Sequence, residues 1–153
     1  MTKKITIAID AMGGENSPKK NIEGLNMFLK KNKSKDFFIY LYGDEKRIKK
    51  DLSLVKASTE NIKIIHSEGI VSDEESPMKA VKSSKNTSMW NSVRAQVDGN
   101  ADISLSAGNT GVLLVISRMI LKMMKEVSKP ALAGLWPSKK GMTVVLDLGA
   151  NIE

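Results

Sequence analysis

Ser106-Ala107-Gly108-Asn109-Thr110-Gly111 is the stretch whose reading decides the fold. It follows Ala101-Asp102-Ile103-Ser104-Leu105, an apolar run with the character of a short buried strand. It precedes Val112–Leu121, which is long enough for a helix. Strand, glycine-bearing turn and helix in that order make half of a parallel βαβ unit. The glycines permit positive φ and a close backbone approach. Asn109 or Thr110 can cap the helix through a side-chain acceptor. The N–H groups of the helix start, with the positive end of its dipole, suit an oxyanion such as phosphate. The same residues also read as a plain βα turn with a capped helix, and spacing alone does not separate the two.

Working outward, strands and helices alternate. Lys4–Asp10 is β-branched and alternating, a first strand. Ser17-Pro18 then signals a helix start, with Ser17 as cap and Pro18 at the first helical position. That helix carries Ile22, Leu25, Met27, Phe28 and Leu29. Asp36–Tyr42 has little polar interruption and reads as a strand buried on both faces. Asp44 caps a basic helix, and Asn61–His66 is a third strand. Pro77 opens a short helix, and Met89–Asp98 is another that stops at Gly99-Asn100. Beyond the long apolar helix, Pro130–Pro137 and Gly141–Asp147 read as two more strands. The pattern predicts one α/β domain over residues 1–153, with a largely parallel sheet flanked by helices. The first strand, the Ile103 strand and the Val144–Asp147 strand are expected to lie parallel in one sheet. Ligands in such folds sit beyond the carboxyl ends of strands. Asp10, Asn109 and Asp147 are therefore expected to line one crevice.

Composition narrows the chemistry. The 153 residues contain no cysteine and one histidine, His66. That excludes disulfides, thiol nucleophiles and a multi-histidine metal site within one chain. No cofactor is expected. A net charge of +7 favours anionic partners. Aromatic content is only 5 % and no recognition motif is present, so nucleic acid is not the expected partner. The start carries no secretory pattern, and the apolar helix is too short to span a bilayer. A cytoplasmic location is expected.

Several residues carry candidate roles. Asp10 ends the first strand, either as a carboxylate that orients a loop or substrate, or as a cap on the Met12-Gly13-Gly14 turn. Gly13 and Gly14 permit close approach, but the Gly-Lys-Ser/Thr ending of a P-loop is absent. His66 is a candidate general base or a structural histidine. Lys85 precedes a helix, where it would neutralise a phosphate or be solvated. Asp147 and Asn151 flank Gly149 and would bond ligand or shape the turn. No Gly-x-Ser-x-Gly elbow is present. With no protein nucleophile named, a reaction whose nucleophile is a bound substrate fits.

An ordered set of stretches then resembles the PlsX-type phosphate acyltransferases of bacterial phospholipid synthesis. They are Ile9–Gly14, Tyr42–Asp44, Lys85–Met89, Ser104–Gly111, Pro130–Ala133 and Leu146–Asn151. The chain departs from that family's pattern at Glu15, Ser83, Ser84, Thr87 and Val112. The resemblance implies a Rossmann-like fold akin to isopropylmalate dehydrogenases and phosphate acetyltransferases, of which this chain is the N-terminal part. It implies acyl phosphate formation from acyl-(acyl carrier protein) and inorganic phosphate. It also implies a homodimer; the positive charge suits peripheral association with anionic membranes. Catalytic roles would fall on Asp10, His66, Lys85 and Asn109. Binding roles would fall on Gly13, Gly14, Ser106, Gly108, Asn109, Thr110, Gly111, Asp147 and Asn151. A phosphate acetyltransferase-like enzyme and a non-catalytic remnant that binds phosphate or the carrier are the alternatives.

Overall fold

A computed structural model describes residues 4–32, 36–72 and 76–148. Four strands form one parallel sheet in the order β3-β2-β1-β4: β1 (Ile5–Asp10), β2 (Phe37–Gly43), β3 (Ile62–His66) and β4 (Ile103–Ser106). Five helices intervene: α1 (Lys19–Lys31), α2 (Glu45–Val55), α3 (Pro77–Ser83), α4 (Ser88–Val97) and α5 (Thr110–Leu121). The alternation read from the sequence is thus the alternation of the α/β fold.

Side chains alternate across the sheet because successive strand residues point to opposite faces. On one face Ile39 and Leu41 meet Ile22 and Leu25 of α1 and Ile48 and Leu52 of α2, all buried. On the other face Ala8 and Tyr42 meet Ala95 of α4. A further apolar cluster joins Met89 and Val93 of α4 to Val112, Ile116 and Ile120 of α5. Burying that stripe fixes where α5 begins. The start of β4 is pinned to β1 by Thr6 N donating to Asp102 Oδ2, and by Asp102 N donating to the Thr6 carbonyl.

Two expectations need correcting. Ser17 does not cap α1. The helix begins at Lys19 after Pro18, with no side-chain cap, and Ser17 Oγ instead donates to the Met12 carbonyl at 2.5 Å. Nor does the Val144–Asp147 segment join β1 and β4. β5 (Ala133–Ser138) and β6 (Gly141–Leu146) form a separate antiparallel hairpin. The physical reason is connection length. Only Lys139 and Lys140 lie between the two strands. A two-residue link can return a strand antiparallel but cannot cross over to a parallel position.

Candidate functional site

All four parallel strands end at one edge, and helix starts gather there because each crossover helix runs back against its strands. The central element is a bonded chain between the loops after β1 and β4. Asp10 and Ser106 face each other in register. Ser106 Oγ donates to Asp10 Oδ2 at 2.7 Å and accepts from Gly108 N at 3.1 Å. Asp10 Oδ1 accepts from Met12 N at 3.1 Å, and the residue is 2 % exposed. Burying a carboxylate is costly unless its oxygens are bonded, and here each oxygen has a donor. Asp10 therefore ties the loops after β1 and β4 together.

The glycines allow those loops to touch. An added Cβ on Gly13 would lie 2.5 Å from Asp10 Oδ2 and 2.8 Å from Gly108 N. One on Gly14, at φ +85°, would lie 2.7 Å from the Ala107 carbonyl oxygen. One on Gly108 would meet the Met89 methyl at 2.8 Å, and one on Gly111 would meet Pro77 at 2.9 Å. Close protein neighbours thus account for all four positions. Asn21, absent from the sequence reading, braces the same loop by donating to the carbonyls of Ala11 and Gly13, each at 2.9 Å. Its signal was its place in the first turn of α1, facing back toward the Gly13 loop.

Asn109 caps α5 as expected, its Oδ1 accepting from Val112 N at 3.0 Å. Leu113 N donates to the Asn109 carbonyl. The helix-start amides outside the ladder are then those of Thr110 and Gly111, the first two helical residues.

His66 and Lys85 share the carboxyl edge but belong to a second group of loops. His66 is the last residue of β3, two strands from β1, which is about 10 Å at ordinary strand spacing. Its Nδ1 accepts from Glu45 N at 3.5 Å, at the start of α2. Beside it, Gly69 bridges Thr87, and Asn91 Nδ2 donates to Ser67 Oγ at 3.0 Å. His66, Ser67, Glu68, Asn86 and Asn91 line a small cavity of about 300 Å³. Lys85, exposed, sits one residue before Asn86. Asp147 ends the hairpin, at φ 58°, with its N–H on the Leu132 carbonyl. Asn151 lies outside the described residues.

Electrostatics follow local geometry. Burial pushes the Tyr42 hydroxyl pKa above its ordinary value, with help from the nearby Tyr40 and Asp98 charges. The Asp44 carboxyl is held below its ordinary value, chiefly because it accepts from the Arg47 amide while capping α2. Among the described residues, no cluster of His, Asp or Glu is placed to hold a metal ion. No described helix is long and apolar enough to cross a membrane.

The family model for "Fatty acid synthesis protein" matches residues 5–153. The chain belongs to that family. Relatives within it carry the name phosphate acyltransferase. One from Pelagibacter ubique (strain HTCC1062) is 48 % identical over 153 residues, covering all of this chain and 45 % of that protein. One from Bradyrhizobium diazoefficiens is 39 % identical, covering 99 % of this chain and 43 % of that protein. The chain thus spans under half the length of these fatty acid synthesis family relatives. Among solved structures, the EutD phosphotransacetylase from Staphylococcus aureus superposes with a TM-score of 0.61 at 15 % identity. The match covers 99 % of this chain and 48 % of that one. At that identity the likeness is one of fold.

Proposed function

We propose that this chain forms the phosphate-holding side of a phosphate acyltransferase. The reaction joins a phosphate oxygen to the carbonyl carbon of an acyl-(acyl carrier protein) thioester. The carbon–sulfur bond breaks, the carrier leaves as its thiol after taking up a proton, and acyl phosphate remains. The observation that carries the reading is the Asp10–Ser106–Gly108 chain, which fixes the start of α5 beside the β1 loop. Two helix-start amides, on Thr110 and Gly111, would bind phosphate, and a fixed donor array costs no reorganisation as the substrate reacts. Asn109 would hold that array as the cap of α5. Lys85 would supply positive charge from the neighbouring loop. Asp10 and Ser106 would be positioning residues, and Gly13, Gly14 and Gly108 would let the loops close. His66 would act as a base only if the carrier thioester reaches the second group of loops. Asp147 and Asn151 would serve the site from the hairpin end. The net charge of +7 suits an acidic carrier protein and, in a cytoplasmic enzyme, peripheral contact with anionic membrane. A homodimer is part of the same reading.

The test is calorimetric titration with inorganic phosphate. Thr110→Pro deletes one amide at the helical position proline tolerates best, so α5 should still form. Lys85→Ala removes a charge worth roughly 1.5–3 kcal/mol if it makes a charge-assisted bond. Both should weaken phosphate binding about tenfold or more with unchanged thermal stability. Unchanged affinity in both would overturn the site. Acyl phosphate formation is then assayed with the unmatched part of the Pelagibacter relative co-expressed. Phosphate binding without turnover there would favour the non-catalytic reading.

A further inference from the structure

α1 and α2 both begin against a local rule. Cations are disfavoured in the first turn of a helix, where the dipole is positive. Lys19 and Lys20 nevertheless open α1, which has no acidic residue in that turn, and Lys46 and Arg47 stand in the first turn of α2. Lys46 and Lys50 add a like-charged pair at i, i+4, a further cost. Lys20 and Lys49 have ion-pair partners, Glu15 at 3.6 Å and Glu45 at 2.5 Å. Among the described residues, no carboxylate pairs with Lys19, Lys46 or Lys50, and all three are exposed. Departures from local consistency of this kind are expected where a surface has a function.

These cations gather at the carboxyl edge of the sheet. Only Asp44 separates β2 from α2. Arg47 Nη2 donates to the Ser17 carbonyl at 2.7 Å, and Ser17 Oγ donates to the Met12 carbonyl in the loop that Asp10 holds. Lys19, Arg47 and Lys50 line a cavity of about 360 Å³, with Asp51 as the acidic side chain among its lining residues. The basic surface therefore borders the loop after β1. Its layout selects the partner. Lys46, Lys50 and Leu54 recur every four residues along α2, a stripe about 12 Å long at the rise of an α-helix. A single phosphate is too small to span that stripe and reach Lys19 as well. An acidic helix carries carboxylates at the same spacing. Leu54, 67 % exposed, offers it an apolar contact at one end of the charged rim.

We propose, on the acyltransferase reading above, that Lys46 and Lys50 of α2 with Lys19 of α1 form the docking surface for an acidic helix of the acyl carrier protein. The carrier would then sit beside the loop after β1, with its thioester arm directed over the carboxyl edge.

The experiment titrates the full chain with the acyl carrier protein of Pelagibacter ubique by calorimetry in phosphate-free buffer. Lys46→Glu/Lys50→Glu reverses two charges of the surface. Lys30→Glu/Lys31→Glu, at the far end of α1, makes the same change in net charge and is the control. Circular dichroism checks the fold of both. The parent should bind the carrier. Raising salt from about 0.01 M to about 0.15 M, which shortens the Debye length from roughly 30 Å to 8 Å, should weaken that binding. The α2 variant should lose about tenfold in affinity or more, and the control should stay within about twofold of the parent. In a separate titration the α2 variant should bind inorganic phosphate as the parent does. No carrier binding, or equal affinities in the two variants, would overturn the docking surface. The phosphate titrations of Thr110→Pro and Lys85→Ala judge the acyltransferase reading separately. Loss of phosphate affinity alongside carrier affinity in the α2 variant would also overturn it, because the lysines would then serve the phosphate site. So would binding to phosphatidylglycerol vesicles that the α2 variant abolishes while carrier affinity is kept, because the surface would then face a membrane.

Discussion

The parallel sheet and the β5–β6 hairpin solve the same backbone problem with opposite results for their side chains. In the sheet, β1 is paired on both sides and helices cover Ile39, Leu41 and Tyr42. In the hairpin, every register pair puts two residues on one face. Ala133 with Leu146, Leu135 with Val144, and Pro137 with Met142 make that face apolar throughout. Yet Leu135, Met142, Val144 and Leu146 are 62–68 % exposed. A lone two-stranded hairpin is marginal in water. Pairing alone therefore does not stabilise a strand; the layer placed over it does. Among the described residues, the hairpin has its hydrogen bonds and lacks the layer.

The largest expected effect tests that contrast directly. Leu41→Ala in β2 should lower the free energy of unfolding by about 2–4 kcal/mol, from lost burial plus a cavity. Val144→Ala in β6 should change it by less than about 0.5 kcal/mol. Urea denaturation of the two variants measures both. Similar losses would mean that the hairpin face is covered in solution, by a second copy for example, and would erase the contrast.

A smaller effect separates the hydroxyls of the two regions. Ser106→Ala removes the donor to Asp10 Oδ2 and the acceptor for Gly108 N, and should cost about 1–3 kcal/mol. Ser138 Oγ, whose bond to the Gly141 carbonyl is exposed, should be replaceable by alanine with no measurable change. Thermal melts of both variants sharpen the comparison. A neutral Ser106→Ala would mean that the loops after β1 and β4 are held by their backbone contacts alone.

The smallest effect is one of pH. Bonding from the Arg47 amide lowers the folded-state pKa of Asp44 below the ordinary value of 3.8. The unfolded chain then takes up the proton first, so stability from this cap is fully present above that value. It is lost as pH falls through the lowered one. The Tm difference between the parent and Asp44→Ala should accordingly shrink as the buffer is taken from about pH 5 toward pH 2. A constant difference would assign the cap to geometry alone.

Much of the sheet was legible because local patterns coincide with layers. β1, β2 and β3 are short apolar or alternating runs, and the pairs β1–β2 and β2–β3 join strands that are also neighbours in sequence order. Asn109 was legible for the same reason, since its cap bond reaches only three residues ahead. The hairpin was misjudged because an alternating apolar strand has the same spelling whether it pairs parallel or antiparallel. The two-residue link between β5 and β6 held the answer. Ser17 was misjudged because its hydroxyl donates to the Met12 carbonyl instead of accepting from the helix start, a partner that spacing does not reveal. For the site, Asp10 and Ser106 were both singled out, but their bond was not. It depends on β4 lying beside β1, a tertiary fact. Asp147 was assigned to the crevice only because its strand was, and it moved with the hairpin.

The bond between Ser106 and Asp10 spans 96 positions of chain. β1 can find β2 as soon as α1 has turned the chain back, while its other edge must wait for β4 to be synthesised. Closing so long a loop costs more entropy than closing any of the earlier crossovers, and contacts between distant positions slow folding. The first three strands can thus form an early nucleus, whereas the loops after β1 and β4 come together only after β4 has left the ribosome. Within the parallel sheet, the edge proposed to hold phosphate is the last to acquire its shape.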